Sequence, residues 1–370
     1  MLAALLAGRP DEFLERRAEL LERGRLDRSI VARLEAAVAA EPAAFRFDGD
    51  GAATLSAEGH SFAAGRFEVP SIRALKERAR KDATGTHRAR LFALLGGDPS
   101  TDIGALQATA SPGSLFQVAS QFNCLEAPDA MVVPVERYFR DPTQGPRASI
   151  STFPGTLLRH YAAPAGDGTR FTQTEARQLN LLEAALPASV ARVFSGYLMT
   201  QHIPDLGSAI RAAESNFDSI CVGVHDELDV VYGMNWDGEV RDAPRIAQVF
   251  TSTLAIGYSD GLTDALGATK LSRVLLRGAY LGTLLAAASL RKSTAVLTLI
   301  GGGVFGNAHH VIWEAIEWAL EQTDPLLGGP LDVVVNCRDI DAGVRPDVLR
   351  ATSARGGRAF RLDMGEVHEL

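Results

Sequence analysis

Two stretches of the chain hold side chains whose types and order suit work on a sugar. "QVASQFNCLEAPD" runs from an apolar segment into a polar loop carrying Gln121, Asn123 and Glu126. "VERYFRDPTQGPRASI" then adds Asp141, Thr143 and Gln144 just before Gly145 and Pro146. Amides and carboxylates gathered at the carboxyl end of a strand donate and accept in fixed directions, as sugar hydroxyls require. A carboxylate in such a cluster can also activate a water. Taken singly, Asn123 and Asp141 are equally suited to capping turns.

A third stretch, "LTLIGGGVFGN", spans Leu297 to Asn307. Gly301, Gly302, Gly303 and Gly306 permit close approach and positive φ, and Asn307 can cap a following helix. With Val304 and Phe305 these residues would face an anion at a helix start. The loop matches neither the Lys-Ser/Thr phosphate loop nor the dinucleotide spacing, so alone it reads equally as an anion cradle or a structural turn. A rival nucleophile lies in "GYSDG", Gly257 to Gly261, which fits the elbow pattern around Ser259 with His309 or His310 as base, but no oxyanion segment precedes it. His310 and Glu314 sit one helical turn apart without an HExxH pattern, so no metal site is expected.

These residues need a frame that brings them together. The spacing predicts strands at "SLFQVAS", "QVFTSTLAIGY", "AVLTLI" and "LDVVVN", two strands within "SICVGVHDELDVVYG", and a hairpin region from Phe45 to Val69. It predicts helices at "DEFLERRAELLERG" with Gly24 as a stop, "DRSIVARLEAAVAA", "IRALKERARKD" capped by Ser71, and "TQTEARQLNLLEAAL" opened by a Thr172/Glu175 capping box. A long helix follows over "LTDALGATKLSRVLLRGAYLGTLLAAASLRK", and another over "NAHHVIWEAIEWALEQ". Strand, glycine loop, helix and strand in succession spell a βαβ unit with a parallel sheet.

Composition narrows the function classes. The chain has 370 residues, 46% of them hydrophobic, enough for a substantial core. A net charge of −8 disfavours nucleic acid as a partner. Cys124, Cys221 and Cys337 are odd in number and widely separated, which gives neither a disulfide framework nor a metal motif and suits a reducing compartment. The opening "MLAALLAGRPDEF" has too short an apolar run for a secretory signal, and no later run of about 18 to 20 uninterrupted apolar residues appears. A cytoplasmic protein with no membrane partner is expected.

Five strings in order, "LFQVASQFNCLE", "YFRDPTQGPRASI", "QVFTSTLAIGYS", "GAYLGTLLAAASL" and "LTLIGGGVFGN", resemble a divergent macrodomain of the branch similar to poly(ADP-ribose) glycohydrolases. That branch includes bacterial enzymes that remove ADP-ribose from ubiquitin. The resemblance covers residues 66 to 345, with its specific strings in 115 to 161 and 246 to 312. It implies an α/β protein with a three-layer α/β/α mixed sheet, an N-terminal helical extension over 1–45 and an ADP-ribose-binding domain over 46–370. It also implies that Asn123, Glu126 and Asp141 lie toward the distal ribose, with Gly302 to Gly306 offering backbone donors to the diphosphate and Phe305 packing on the ribose. Two departures stand out: the chain has no Glu-Glu pair, so processive polymer cleavage is not implied, and Leu281 stands where relatives carry an acidic residue. The expectation is a hydrolase that releases ADP-ribose from a modified protein or small molecule, with Glu126 or Asp141 acting on water at C1″ and no cofactor. The alternative is a non-catalytic reader of ADP-ribose or NAD-derived metabolites.

Overall fold

Apolar runs such as Leu115–Phe116, Ala295–Leu297 and Val333–Val335 are fully buried, as strands covered on both faces must be. The structure, a computed structural model, describes all residues except 22–26, 128–130, 235–239, 241–243 and 261–262; the expected helix stop at Gly24 and Gly261 of the elbow pattern lie outside the described residues. The chain begins with helices α1 (Leu2–Leu6), α2 (Pro10–Leu21) and α3 (Ser29–Ala40), then a meander of β1 (Phe45–Phe47), β2 (Ala53–Ala57) and β3 (His60–Glu68). Next come α4 (Ile72–Arg80), β4 (Arg90–Leu95), α5 (Ile103–Ala108) and β5 (Ser114–Ala119), followed by α6 (Gln144–Ser151), α7 (Phe153–Tyr161) and the small ribbon β6 (Ala163–Pro164) with β7 (Arg170–Phe171). After α8 (Leu206–Ser215) the order is β8 (Gly223–Leu228), β9 (Ile246–Thr251), α9 (Ala265–Ser289) and β10 (Thr294–Thr298). The chain ends with α10 (His309–Thr323), β11 (Asp332–Cys337), α11 (Arg345–Ala354), β12 (Ala359–Asp363) and β13 (Glu366–Glu369).

Eleven strands form one mixed sheet in the order β1-β2-β3-β8-β9-β5-β10-β11-β4-β12-β13. The run from β9 to β12 is parallel and both flanks are antiparallel. The expected βαβ unit is β10-α10-β11, with Thr294 paired to Asp332 through Thr298 to Asn336.

Two buried glutamines mark the layers. Gln117 on β5 donates to Thr283 Oγ1 of α9 at 2.9 Å, whereas Gln248 on β9 accepts from Thr152 Oγ1, at the α6–α7 junction, at 2.9 Å. Gln117 pairs in register with Val249, one residue along from Gln248, so the two side chains leave opposite faces of the sheet. The sheet is thus sandwiched between α9 and its neighbours on one side and α6 and α7 on the other. α9 is apolar and long enough by composition to cross a membrane, but 78% of that stretch is buried within the fold.

The N-terminal helices share this core: Leu5, Phe13, Val31, Leu34 and Val38 are fully buried in the same apolar cluster as the strands. The buried Glu35 on α3 accepts from the backbone N–H groups of Val135 at 2.6 Å and Glu136 at 2.9 Å, and from Tyr161 Oη at 2.8 Å. A carboxylate thus fastens α3 to the segment that ends at Asp141.

Two expectations fail. The stretch 172–186 is irregular, not helical, because Gln173 is buried and spends its amide on tertiary bonds: Nε2 donates to Asn123 O at 3.1 Å and Arg159 O at 2.9 Å, and Oε1 accepts from Leu179 N at 2.9 Å. Glu175 likewise accepts from Ser195 Oγ at 3.0 Å instead of closing a capping box. Within 219–233 only β8 forms a strand, and a bulge after His225 ends its regular pairing.

Candidate functional site

The cleft lies where open parallel sheets bind ligands, beyond the carboxyl ends of β5, β10 and β11. It encloses 430 Å³ and is lined by residues 119–121, 126–127, 141–147 and 298–305, together with Tyr197, Tyr258, His309, Asn336, Arg338 and Asp339. That volume falls in the range of small-molecule sites, about 300–1,000 Å³.

Glu126 forms the buried wall, at 3% exposure. The loop that delivers it turns sharply at Cys124, a non-glycine residue at φ 62°. Asn123 stabilises the turn by accepting from Leu125 N at 3.0 Å and donating to Gln178 Oε1 at 2.9 Å. Glu126 N donates to Tyr138 Oη at 3.1 Å, and Ser149 Oγ donates to Glu126 Oε1 at 3.3 Å. Gly145 is required here: a Cβ on it would stand 2.1 Å from Ala119 O and 2.8 Å from Glu126 Oε2. Burial pushes the Glu126 carboxyl well above the usual glutamate range, with Ser120, Arg159 and Ser149 pulling the other way. The group therefore gives up its proton at higher pH than an exposed glutamate would.

Asp141 is half-buried at the rim and lines the same cleft, its Oδ1 accepting from Thr143 N at 2.9 Å. Thr143 and Gln144 line the cleft as well, but Gln144 accepts from Ile103 N at 2.8 Å and donates to Asp102 Oδ2 at 3.3 Å, so it ties α6 to α5. Gln121 donates to Tyr197 Oη at 3.2 Å, and its buried Oε1 has no protein partner.

The glycine loop supplies donors. Gly302 N donates to Leu299 O and Asn307 N to Gly301 O, whereas the N–H groups of Gly301, Gly303, Val304 and Phe305 donate to no group among the described residues. Gly301 sits at φ +71°, where a Cβ would fall 2.5 Å from Thr253 Cγ2 and 2.6 Å from Asn307 Nδ2. Phe305, Tyr197 and Tyr258 form a triangle of rings with centroids 5.7 to 5.8 Å apart at the edge of the loop. On β11, the buried Asn336 donates to Thr101 O at 2.8 Å and leaves Oδ1 without a partner beside the cleft.

Three expected ligand contacts are corrected. Asn123 does not line the cleft, because both ends of its amide are spent holding the Glu126 loop. Gly306 turns away in the closing turn of the glycine loop, its N–H bonded to Gly303 O at 2.9 Å. Asn307 neither caps α10, whose N-cap is Ala308, nor faces the cleft. It is a buried tether instead: Nδ2 donates to Leu254 O at 3.0 Å and Gly301 O at 3.2 Å, and Oδ1 accepts from Ser272 Oγ. Leu281 is buried within α9, away from the cleft.

The elbow reading also fails on geometry. Ser259 Oγ donates to Ala255 O at 3.0 Å and accepts from Thr200 N at 3.1 Å, while His309 Nδ1 accepts from Asp341 N at 3.0 Å. Among the described residues no three His, Cys, Asp or Glu side chains are grouped as metal ligands. Sequence reasoning missed Tyr197, Tyr258 and Asn336. For Asn336 a signal existed, since it stands at the carboxyl end of an expected strand; Tyr197 comes from an irregular stretch with none.

No protein-family model matches the chain, and no curated protein matches it. Among solved structures, poly(ADP-ribose) glycohydrolase from Deinococcus radiodurans in complex with ADP-ribose is 12% identical, aligned over 78% of this chain and 93% of that one with a TM-score of 0.43. The glycohydrolase from Thermomonospora curvata is 14% identical over 89% of this chain and 98% of that one, with a TM-score of 0.44. The same enzyme bound to the inhibitor ADP-HPD is 13% identical over the same shares, with a TM-score of 0.42. At this level of likeness the chemistry of the cleft must be read from its own residues.

Proposed function

We propose that the chain binds ADP-ribose and hydrolyses the glycosidic bond at C1″ of its distal ribose, releasing ADP-ribose from a modified protein or small molecule. The observation that carries this reading is the order of groups along one cleft: four backbone N–H donors in the middle with no partner among the described residues, an orphaned amide acceptor at each end (Gln121 Oε1 and Asn336 Oδ1), and the buried carboxyl of Glu126 beside one of them. Donors in the middle match a diphosphate and acceptors at the ends match hydroxyl or amino groups, the sequence of charges in a nucleoside diphosphate sugar. The carboxyl belongs at the sugar end.

In this mechanism the glycine loop anchors the diphosphate and fixes the sugar, so that the bond to be cut meets Glu126. Glu126 gives its proton to the departing atom as the C1″ bond breaks, leaving an oxocarbenium-like ribose. Water oriented by Asp141 attacks C1″, and its proton returns to the Glu126 carboxylate. Net, one water is consumed and the carrier leaves protonated.

Calorimetry with ADP-ribose tests the binding step. Wild-type protein should give a saturable heat, and Gly303→Leu should weaken binding by at least about tenfold while melting like wild type, because a Cβ at Gly303 meets no atom within 4 Å. Absence of heat at high wild-type concentration would end the proposal. Binding without any release of ADP-ribose from modified proteins would leave the protein a reader.

A further inference from the structure

Arg159 on α7 is fully buried, yet its guanidinium bonds to no carboxylate among the described residues. Its Nε donates to Cys124 O at 3.1 Å, Nη2 donates to Thr156 Oγ1 at 2.9 Å, and Nη1 donates to His225 Nδ1 at 3.1 Å. The guanidinium carbon stands 3.6 Å from the centre of the Phe250 ring. His225 is fixed as the acceptor because its Nε2 donates to Ala64 O at 2.7 Å, and burial holds it neutral. Burying a cation without a contacting anion is costly, so stability alone is a poor account of this residue. What the guanidinium holds is the strained residue two positions before Glu126, and Gln173 adds a second tie by bridging Asn123 O and Arg159 O.

We infer that Arg159 is a positioning residue for the reaction proposed above: it locks the left-handed turn at Cys124 that delivers Glu126 to the cleft. The inference rests on Glu126 being the proton donor. The charged groups acting on Glu126 are Arg159 from α7 and Asp141 from the rim; the uncharged ones are Ser120 at the end of β5, the Cys124 thiol in the same loop, Ser149 on α6, Tyr138 before Asp141, and Tyr197. Arg159 is thus the cation of that set, itself pulled down to about 10 by burial.

Removing that cation makes ionisation of Glu126 harder, so its titration moves up. In Arg159→Gln, the Glu126 carboxyl signal, followed by ¹³C NMR and assigned with Glu126→Gln, should titrate about one pH unit higher than in wild type. The alkaline limb of kcat should move with it, and kcat should fall roughly 10- to 100-fold with KM little changed. Arg159→Lys keeps the charge but not the fork: the titration should stay at the wild-type position and kcat recover only in part. An unmoved carboxyl titration in folded Arg159→Gln, or wild-type kcat in Arg159→Lys, overturns the inference. If wild type itself releases no ADP-ribose, the proposed reaction fails while the NMR titration still decides the role of Arg159. If Arg159→Gln does not fold, Arg159→Lys alone decides it through kcat.

Discussion

Glu126→Gln should abolish most turnover and at the same time raise the melting temperature at neutral pH. The amide keeps the shape and can still accept from Ser149 Oγ, so ADP-ribose affinity should change little, while release falls by about 10²- to 10⁴-fold with the loss of proton transfer. The stability gain follows from linkage. Burial raises the carboxyl pKa in the folded protein above its value of about 4.3 in an unfolded chain. Between those two values the unfolded state has lost a proton that the folded state keeps. The contribution is therefore complete below the unfolded pKa and is lost as pH rises through the folded one. The substituted amide has nothing to ionise, so the variant should be more stable than wild type near neutrality, with the gap closing toward pH 4. Melting curves at pH 4 and pH 8 for both proteins check this. A gap independent of pH, or turnover within tenfold of wild type, would remove Glu126 from the proposed role.

Asn307→Ala carries the second large effect, this time on both binding and folding. The side chain spans three segments, reaching Leu254 O after β9, Gly301 O in the glycine loop and Ser272 on α9. Alanine leaves the buried Leu254 carbonyl without its side-chain donor and Ser272 Oγ with only Thr253 Oγ1, 3.5 Å away, at a cost of about 1–3 kcal/mol. It also removes one of the two bonds to Gly301 O, leaving only the backbone N–H of residue 307, so the row of backbone donors is held less firmly and ADP-ribose affinity should drop by roughly tenfold or more. Urea unfolding and calorimetry measure the two effects. Gly303→Leu is the control, since it should lose affinity with unfolding unchanged. A variant with wild-type unfolding would show that the loop holds its shape without the tether.

How far the sequence led depends on whether the signal was local. The β10-α10-β11 unit was legible because an apolar run, three glycines and a helical period follow one another within 45 residues. Glu126 was legible as a polar residue where a buried strand ends. The stretch 172–186 misled because its capping box is a local pattern, whereas Gln173 is claimed by Asn123 and Arg159 from far along the chain. Asn307 misled for the same reason, standing where a helix cap belongs but used by Leu254 and Ser272. Asn336 and Tyr197 join the cleft only through the order of strands, with β10 and β11 placed between β5 and β4. That order is written in long-range pairings and not in any window of sequence.

The same order sets a schedule for the chain as it leaves the ribosome. β4 and β5 emerge early, yet the strands that separate them, β10 and β11, come from residues 294–337, and β12, which covers the other side of β4, comes later still. For most of synthesis β4 has open edges and the cleft has only its Glu126 wall. Such edges invite pairing with other nascent chains, so efficient production depends on protecting β4 until the last fifth of the polypeptide is made.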